Sequence, residues 1–140
     1  MPFLQDPPIA RETVNNRSCL QNIDFALAEL RRLESLGCIS RVSPGECLVN
    51  IPLSVVFSNK LRLVVDCSRH INPFVQKRKV KLDSLCQFSL LVHQGDFVAV
   101  DDLDSGYWHV PLSRQQWKFF GCSIVNPDTG KKEFFRWKVV

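Results

Sequence analysis

Residues 97–107 read Phe97-Val98-Ala99-Val100-Asp101-Asp102-Leu103-Asp104-Ser105-Gly106-Tyr107. The first four are apolar without a break, the pattern of a strand buried on both faces. Asp101, Asp102 and Asp104 then fall within one turn of chain. Gathered carboxylates repel one another unless cations or water offset the charge. Two readings suit this spacing. One is a divalent-cation site at a strand end, since Mg²⁺ binds through one or two carboxylates plus substrate phosphates. The other is a solvated, Asp-rich turn.

Downstream, Ser113-Arg114-Gln115-Gln116 has the form of a capping box and predicts a short helix over 114–118. Residues 119–125 and 132–140 read as two strands joined by Asn126-Pro127-Asp128-Thr129-Gly130, a strong turn signal. Upstream, residues 80–92 predict a helix that starts near Asp83 or Ser84 and closes at Gly95-Asp96. The basic stretch 68–81 before it carries Arg69, Lys77, Arg78, Lys79 and Lys81. Residues 53–57 and 61–65 are two β-rich runs around Ser58-Asn59-Lys60, which predicts a hairpin. A short strand is expected over 38–42. Ile23, Leu27, Leu30 and Leu33 recur at helical steps between a capping Asn22 and Gly37, predicting a helix to about Leu36. Residues 1–21 are Pro-rich and polar and read as an extended N-terminal arm, leaving 22–140 as one domain.

The composition is that of a core-forming chain. Of 140 residues, 45% are hydrophobic and 23% charged, and ten Phe and three Trp supply apolar bulk, which excludes a disordered tail. The net charge of +4 permits a polyanionic partner without establishing one. There is no apolar run long enough for a membrane span and no charged start with an apolar run after it, so no membrane association and an intracellular setting are expected. The six cysteines form no Cys-x-x-Cys pair and are expected to be free, mostly buried thiols. His70, His93 and His109 have no metal-like spacing.

Taken in order, Lys60-Leu61-Arg62-Leu63-Val64-Val65-Asp66, then Asn72, then Asp102-Leu103-Asp104-Ser105-Gly106-Tyr107 resembles the reverse transcriptase family. The likeness extends through LESLGCISRV and IPLSVVFS upstream, and HVPLSRQQWKFFGCSI and EFFRWKVV downstream, and so covers roughly residues 22–140. The wording DCSRHIN, DDLDSGYWHV and FFRWKVV looks most like retrotransposon polymerases of the DIRS type. The resemblance implies an α+β chain with a partial right-hand polymerase fold, a fingers hairpin near 53–65 and an incomplete palm sheet built from 97–100 and 132–140.

It also implies roles. Asp102 matches the metal-binding aspartate of the palm's first motif. Tyr107 matches the aromatic that packs under the incoming sugar and leaves no room for a 2′-hydroxyl. Residues Leu103, Asp104, Ser105 and Gly106 match the turn beside the triphosphate. Arg62 matches the fingers arginine whose fork suits phosphate. Lys60, Asp66, Lys77, Arg78 and Lys79 are expected contacts to template or primer. The plainer alternatives stay open: Tyr107 as core packing, Arg62 as a hairpin surface charge, residues 77–81 as a solvated loop. The family's partners would be an RNA or DNA template with primer and deoxynucleotide, and its cofactor two Mg²⁺ ions. The sequence departs from the family in having no Tyr-x-Asp-Asp, its one tyrosine being Tyr107. A fragment inactive on its own is therefore expected, the alternative being a non-enzymatic remnant that binds nucleic acid. Oligomeric state and template preference are left open.

Overall fold

The computed structural model describes residues 6–77, 79–82, 84–103 and 105–139. Helix α2 (Ile23–Ser35) forms where the apolar spacing predicts it, with Ala26, Leu27, Leu30 and Leu33 buried. Its N-terminus differs from expectation. Asn22 holds the N-cap position, its carbonyl accepting from the Ala26 N–H at 3.0 Å, but its side chain does not cap; the Asn22 amide donates to the Ser18 carbonyl at 2.9 Å, inside a preceding helix, α1 (Arg17–Gln21). Residues 17–21, read as part of an extended arm, are thus helical. Five residues do not hold a helix by propensity. This one is stitched to the first strand of the hairpin. The Val55 N–H donates to Ser18 Oγ at 3.2 Å, the Leu53 N–H to Asn15 Oδ1 at 3.0 Å, and the Asn16 N–H to the Leu53 carbonyl at 3.0 Å.

That hairpin is antiparallel, β2 (Leu53–Phe57) with β3 (Leu61–Val65), in register Leu53↔Val65 to Phe57↔Leu61. Its base is buried through Leu53, Val55 and Leu63, while Phe57 and Leu61 at the tip are exposed. The second sheet is antiparallel in the order β1-β5-β4, from β1 (Ile39–Arg41), β4 (Gly121–Val125) and β5 (Lys132–Trp137). The β4–β5 turn follows its sequence: the Asp128 N–H donates to Asn126 Oδ1 at 3.0 Å, and Gly130 takes φ +66°. Arg41 bridges Glu34 on α2 and Glu133 on β5, which ties helix to sheet.

Residues 48–51 run alongside β4 as a seam. The Ile51 N–H donates to the Gly121 carbonyl at 2.7 Å, and the Gly121 N–H to the Val49 carbonyl at 3.0 Å. The arm adds to the far side of this seam through an isolated parallel bridge, Arg11↔Val49. Gly121 is required by this approach: a Cβ there would lie 2.5 Å from Cys47 Cβ and 2.8 Å from the Val49 carbonyl oxygen. The core sits between α2, the hairpin base and the second sheet, with Phe135 and Trp137 among its largest buried side chains. The Trp137 indole N–H donates to Cys122 Sγ at 3.3 Å. All six cysteines are free, and Cys19, Cys38, Cys47 and Cys122 are buried.

The segment expected to decide the fold behaves otherwise. Residues 97–100 form no strand, and Phe97 (103%) and Val100 (91%) are fully exposed. An apolar run becomes a buried strand only beside a neighbour with free backbone groups. Here β5, the strand expected beside it, is paired on both edges, by β1 and by β4, and has no free backbone groups to offer. The helix expected over 80–92 shrinks to α3 (Leu85–Ser89), opened by a capping box in which the Ser84 N–H donates to Gln87 Oε1 at 2.9 Å. Asp83, the other proposed start, lies outside the described residues. Leu90 and Leu91 after it find no cover. The box at Ser113 yields a turn and a 3₁₀ turn, Trp117–Phe119, rather than an α-helix. The chain is α+β, and no helix among the described residues is long and apolar enough to cross a membrane.

Candidate nucleotide and nucleic-acid site

Arg62 stands on β3 opposite Val56, and Lys60 in the turn just before it; both are exposed. Among the described residues neither takes part in an ion pair. Their charges are therefore available to an anion, although a plain surface charge has the same appearance.

Asp66 has a structural task. One carboxylate oxygen accepts from the Ser68 N–H at 3.1 Å and from the Ser68 hydroxyl, closing an Asx turn. The other accepts from the Asn16 amide at 3.4 Å. These bonds, those of Ser68 before that of Asn16, hold the Asp66 carboxyl below its ordinary range, and Arg69 adds to the effect. The Asp-x-Ser pattern was the signal in the sequence for this turn.

Asp101, Asp102 and Leu103 lie in exposed coil. Ser105 takes a left-handed backbone, φ +56°, and leads into a 3₁₀ turn, Gly106–His109. Within that turn Trp108 stacks on Trp137 with centroids 5.1 Å apart and planes at 20°. This anchor turns the neighbouring Tyr107 outward, 78% exposed, so Tyr107 is not core packing. Lys77 and Lys79 are exposed in coil; Arg78 and Asp104 lie outside the described residues.

Arg62, Asp102 and Tyr107 thus stand on a strand, a coil and a 3₁₀ turn. Among the described residues no hydrogen bond or ion pair joins any two of them. Nor do three His, Cys, Asp or Glu side chains come together to hold a metal ion. Oxygen donors at 101 and 102 have the chemistry Mg²⁺ prefers, but by themselves they do not make its coordination shell.

Hollows elsewhere among the described residues include two of similar size. One, of about 330 Å³, lies between the arm, residues 44–50 and Phe134. The other, of about 310 Å³, is lined by Ile9, Ala10, Arg11, Arg69, His70 and Phe74. Sequence reasoning missed this second group, because its halves are far apart in the chain and meet only when the arm docks. With this geometry in view, no protein-family model and no curated protein matches the chain.

Proposed function

We propose that the chain is the fingers and early palm of a retroelement reverse transcriptase, an RNA-directed DNA polymerase. The observation that carries this reading is the order and spacing of Arg62, Asp66, Asn72, Asp102 and Tyr107 along one chain. The setting of these residues agrees with it. Arg62 stands exposed on a hairpin where a guanidinium can fork onto a triphosphate. The Tyr107 ring faces outward, as a ring that screens a 2′-position must.

In this reading Asp102 is one ligand of the Mg²⁺ pair, and the ions supply charge neutralisation at the primer hydroxyl and the pyrophosphate. The remaining ligands are a second carboxylate pair that these 140 residues do not contain. The polypeptide alone is accordingly inactive. Sequencing the transcript beyond residue 140 tests the proposal: an in-frame Tyr-x-Asp-Asp supports it, and a long open frame without one overturns it.

A second reading is a non-enzymatic module that grips nucleic acid. The net charge of +4 and the exposed Lys77 and Lys79 favour it. A transcript that stops directly after residue 140, together with salt-dependent binding to a primer–template duplex, would select this reading over the first.

A further inference from the structure

Residues 80–103 carry apolar bulk that the fold leaves uncovered. Val80, Leu82, Leu90, Leu91, Phe97 and Val100 are each exposed by 73% or more. A single exposed leucine is ordinary, but so many along one stretch of chain mark a contact surface. The main chain is open as well. Among the described residues the backbone groups of 79–82 and of 97–103 take part in no hydrogen bond, and the two stretches are not paired with each other. Unpaired backbone between apolar side chains is a template for another strand.

The charges along this segment say which partner fits. It begins basic, at Lys77, Lys79 and Lys81, and ends acidic, at Asp101 and Asp102. All five are exposed, and among the described residues none is in an ion pair. The lysines of one copy therefore leave its own aspartates unanswered. A second copy laid antiparallel answers both. Its acidic end meets the basic start of the first, and the two-fold axis repeats that contact with the roles exchanged. A foreign partner would need the same basic, apolar, acidic order by coincidence, whereas a copy has it by identity.

We propose that two copies of this chain associate by pairing residues 80–82 of each, antiparallel, with residues 100–102 of the other. Lys81 then stands opposite Asp101, and Leu82 opposite Val100 on the other face of the pair. Opposite charges across an antiparallel pair attract, and like charges there repel. Leu91 lies midway between the two stretches and so falls near the axis, where it meets its own copy. Neither Lys81 nor Asp101 has a part in the polymerase reading, and the inference does not rest on it.

The test is sedimentation equilibrium of the full chain over a micromolar range, which should show a monomer–dimer equilibrium that weakens as salt is raised. Lys81→Asp and Asp101→Lys should each raise the dissociation constant about tenfold or more, because the two-fold sets like charges opposite each other twice. Lys131→Asp makes the first of these charge changes on the exposed β4–β5 turn and should stay within about twofold. The double variant Lys81→Asp/Asp101→Lys keeps the wild-type net charge and should recover the wild-type constant. It should not mix with wild type, since both contacts of the hybrid oppose like charges, so labelled wild type titrated with it should show no rise in fluorescence anisotropy. Wild type that stays monomeric, assembly that grows past the dimer, single variants that behave like Lys131→Asp, or a double variant that stays monomeric or mixes with wild type would overturn the proposal.

Discussion

Replacing Gly121 by alanine sets a single methyl group against the seam that joins residues 48–51 to β4. The new Cβ would sit 2.5 Å from Cys47 Cβ, 2.7 Å from Asn50 Oδ1 and 2.8 Å from the Val49 carbonyl oxygen. Ordinary carbon contacts lie at roughly 3.5–4.0 Å, so the seam must open by about 1 Å. The Asn50 amide can rotate away. A backbone oxygen and the first side-chain carbon of Cys47 cannot. Opening strains the two bonds that close the seam, Gly121 N–H to Val49 carbonyl and Ile51 N–H to Gly121 carbonyl. Overpacking costs about 1–3 kcal/mol, and a weakened buried hydrogen bond about 1 kcal/mol more. Against this, alanine restricts the unfolded chain and returns about 0.4–1 kcal/mol. The net expectation is a loss of about 2–3 kcal/mol, a large part of the 5–15 kcal/mol typical of a domain. Urea denaturation measures it, with Gly106→Ala as the internal comparison. Among the described residues a Cβ at Gly106 meets only Leu103 Cβ, at an ordinary 3.5 Å, so that variant should be neutral within about 0.5 kcal/mol. If Gly121→Ala matched Gly106→Ala, the close approach described for the seam would be wrong.

Four further outcomes are expected. Primer extension with Mg²⁺ should show no incorporation by this polypeptide, and incorporation abolished in Asp102→Ala would refute that expectation. Trp108→Ala should free residues 105–110 and cost about 1–2 kcal/mol, from the lost stack on Trp137 and part of its buried area; unchanged proteolysis after Tyr107 would count against the anchor. Asp66 titrates below its ordinary range through Ser68 first and Asn16 next, so its stabilisation is complete above the unfolded pKa and disappears as pH falls through the lower folded value. Wild type should therefore lose more stability than Asp66→Asn as pH falls below about 4, the ordinary aspartate value, and equal losses would show that the turn does not depend on the charge. In native protein Cys86, which is exposed, should react first with a thiol reagent; the half-buried Cys67, whose thiol burial pushes up to about 11, should react more slowly, and the buried Cys122, pushed up to about 12, only after unfolding.

Much of the architecture was legible because single stretches carry their own period. The α2 stripe, the β2–β3 hairpin and the β4–β5 hairpin each rest on residues close together in the chain, and all three form where expected. What was not legible depends on distant partners. Nothing in residues 17–21 announces a helix, since Ser18 and Asn16 act only once β2 offers its backbone. Residues 97–100 have the composition of a buried strand, but composition does not say whether a neighbour is present. At the candidate site, Asp102, Arg62 and Tyr107 were singled out by their order along the chain, and the fold places them on a coil, a strand and a 3₁₀ turn. The turn made by Asp66 could have been read from Asp-x-Ser. The meeting of the arm with the loop after β3 could not, because the two are far apart in the chain and share a hollow only in the fold.

The place of β5 at the centre of its sheet has a consequence for how the chain is made. Ile39 has Trp137 as its ladder partner, most of the protein's length later. While the ribosome is still adding residues 42–131, β1 has no strand to zip against, and α2 can pack only on the β2–β3 hairpin. Loops that long close late and slowly. The nascent chain therefore leaves the edge of β1 open until β5 has been made, and chaperone capture in that interval should be a normal part of its production.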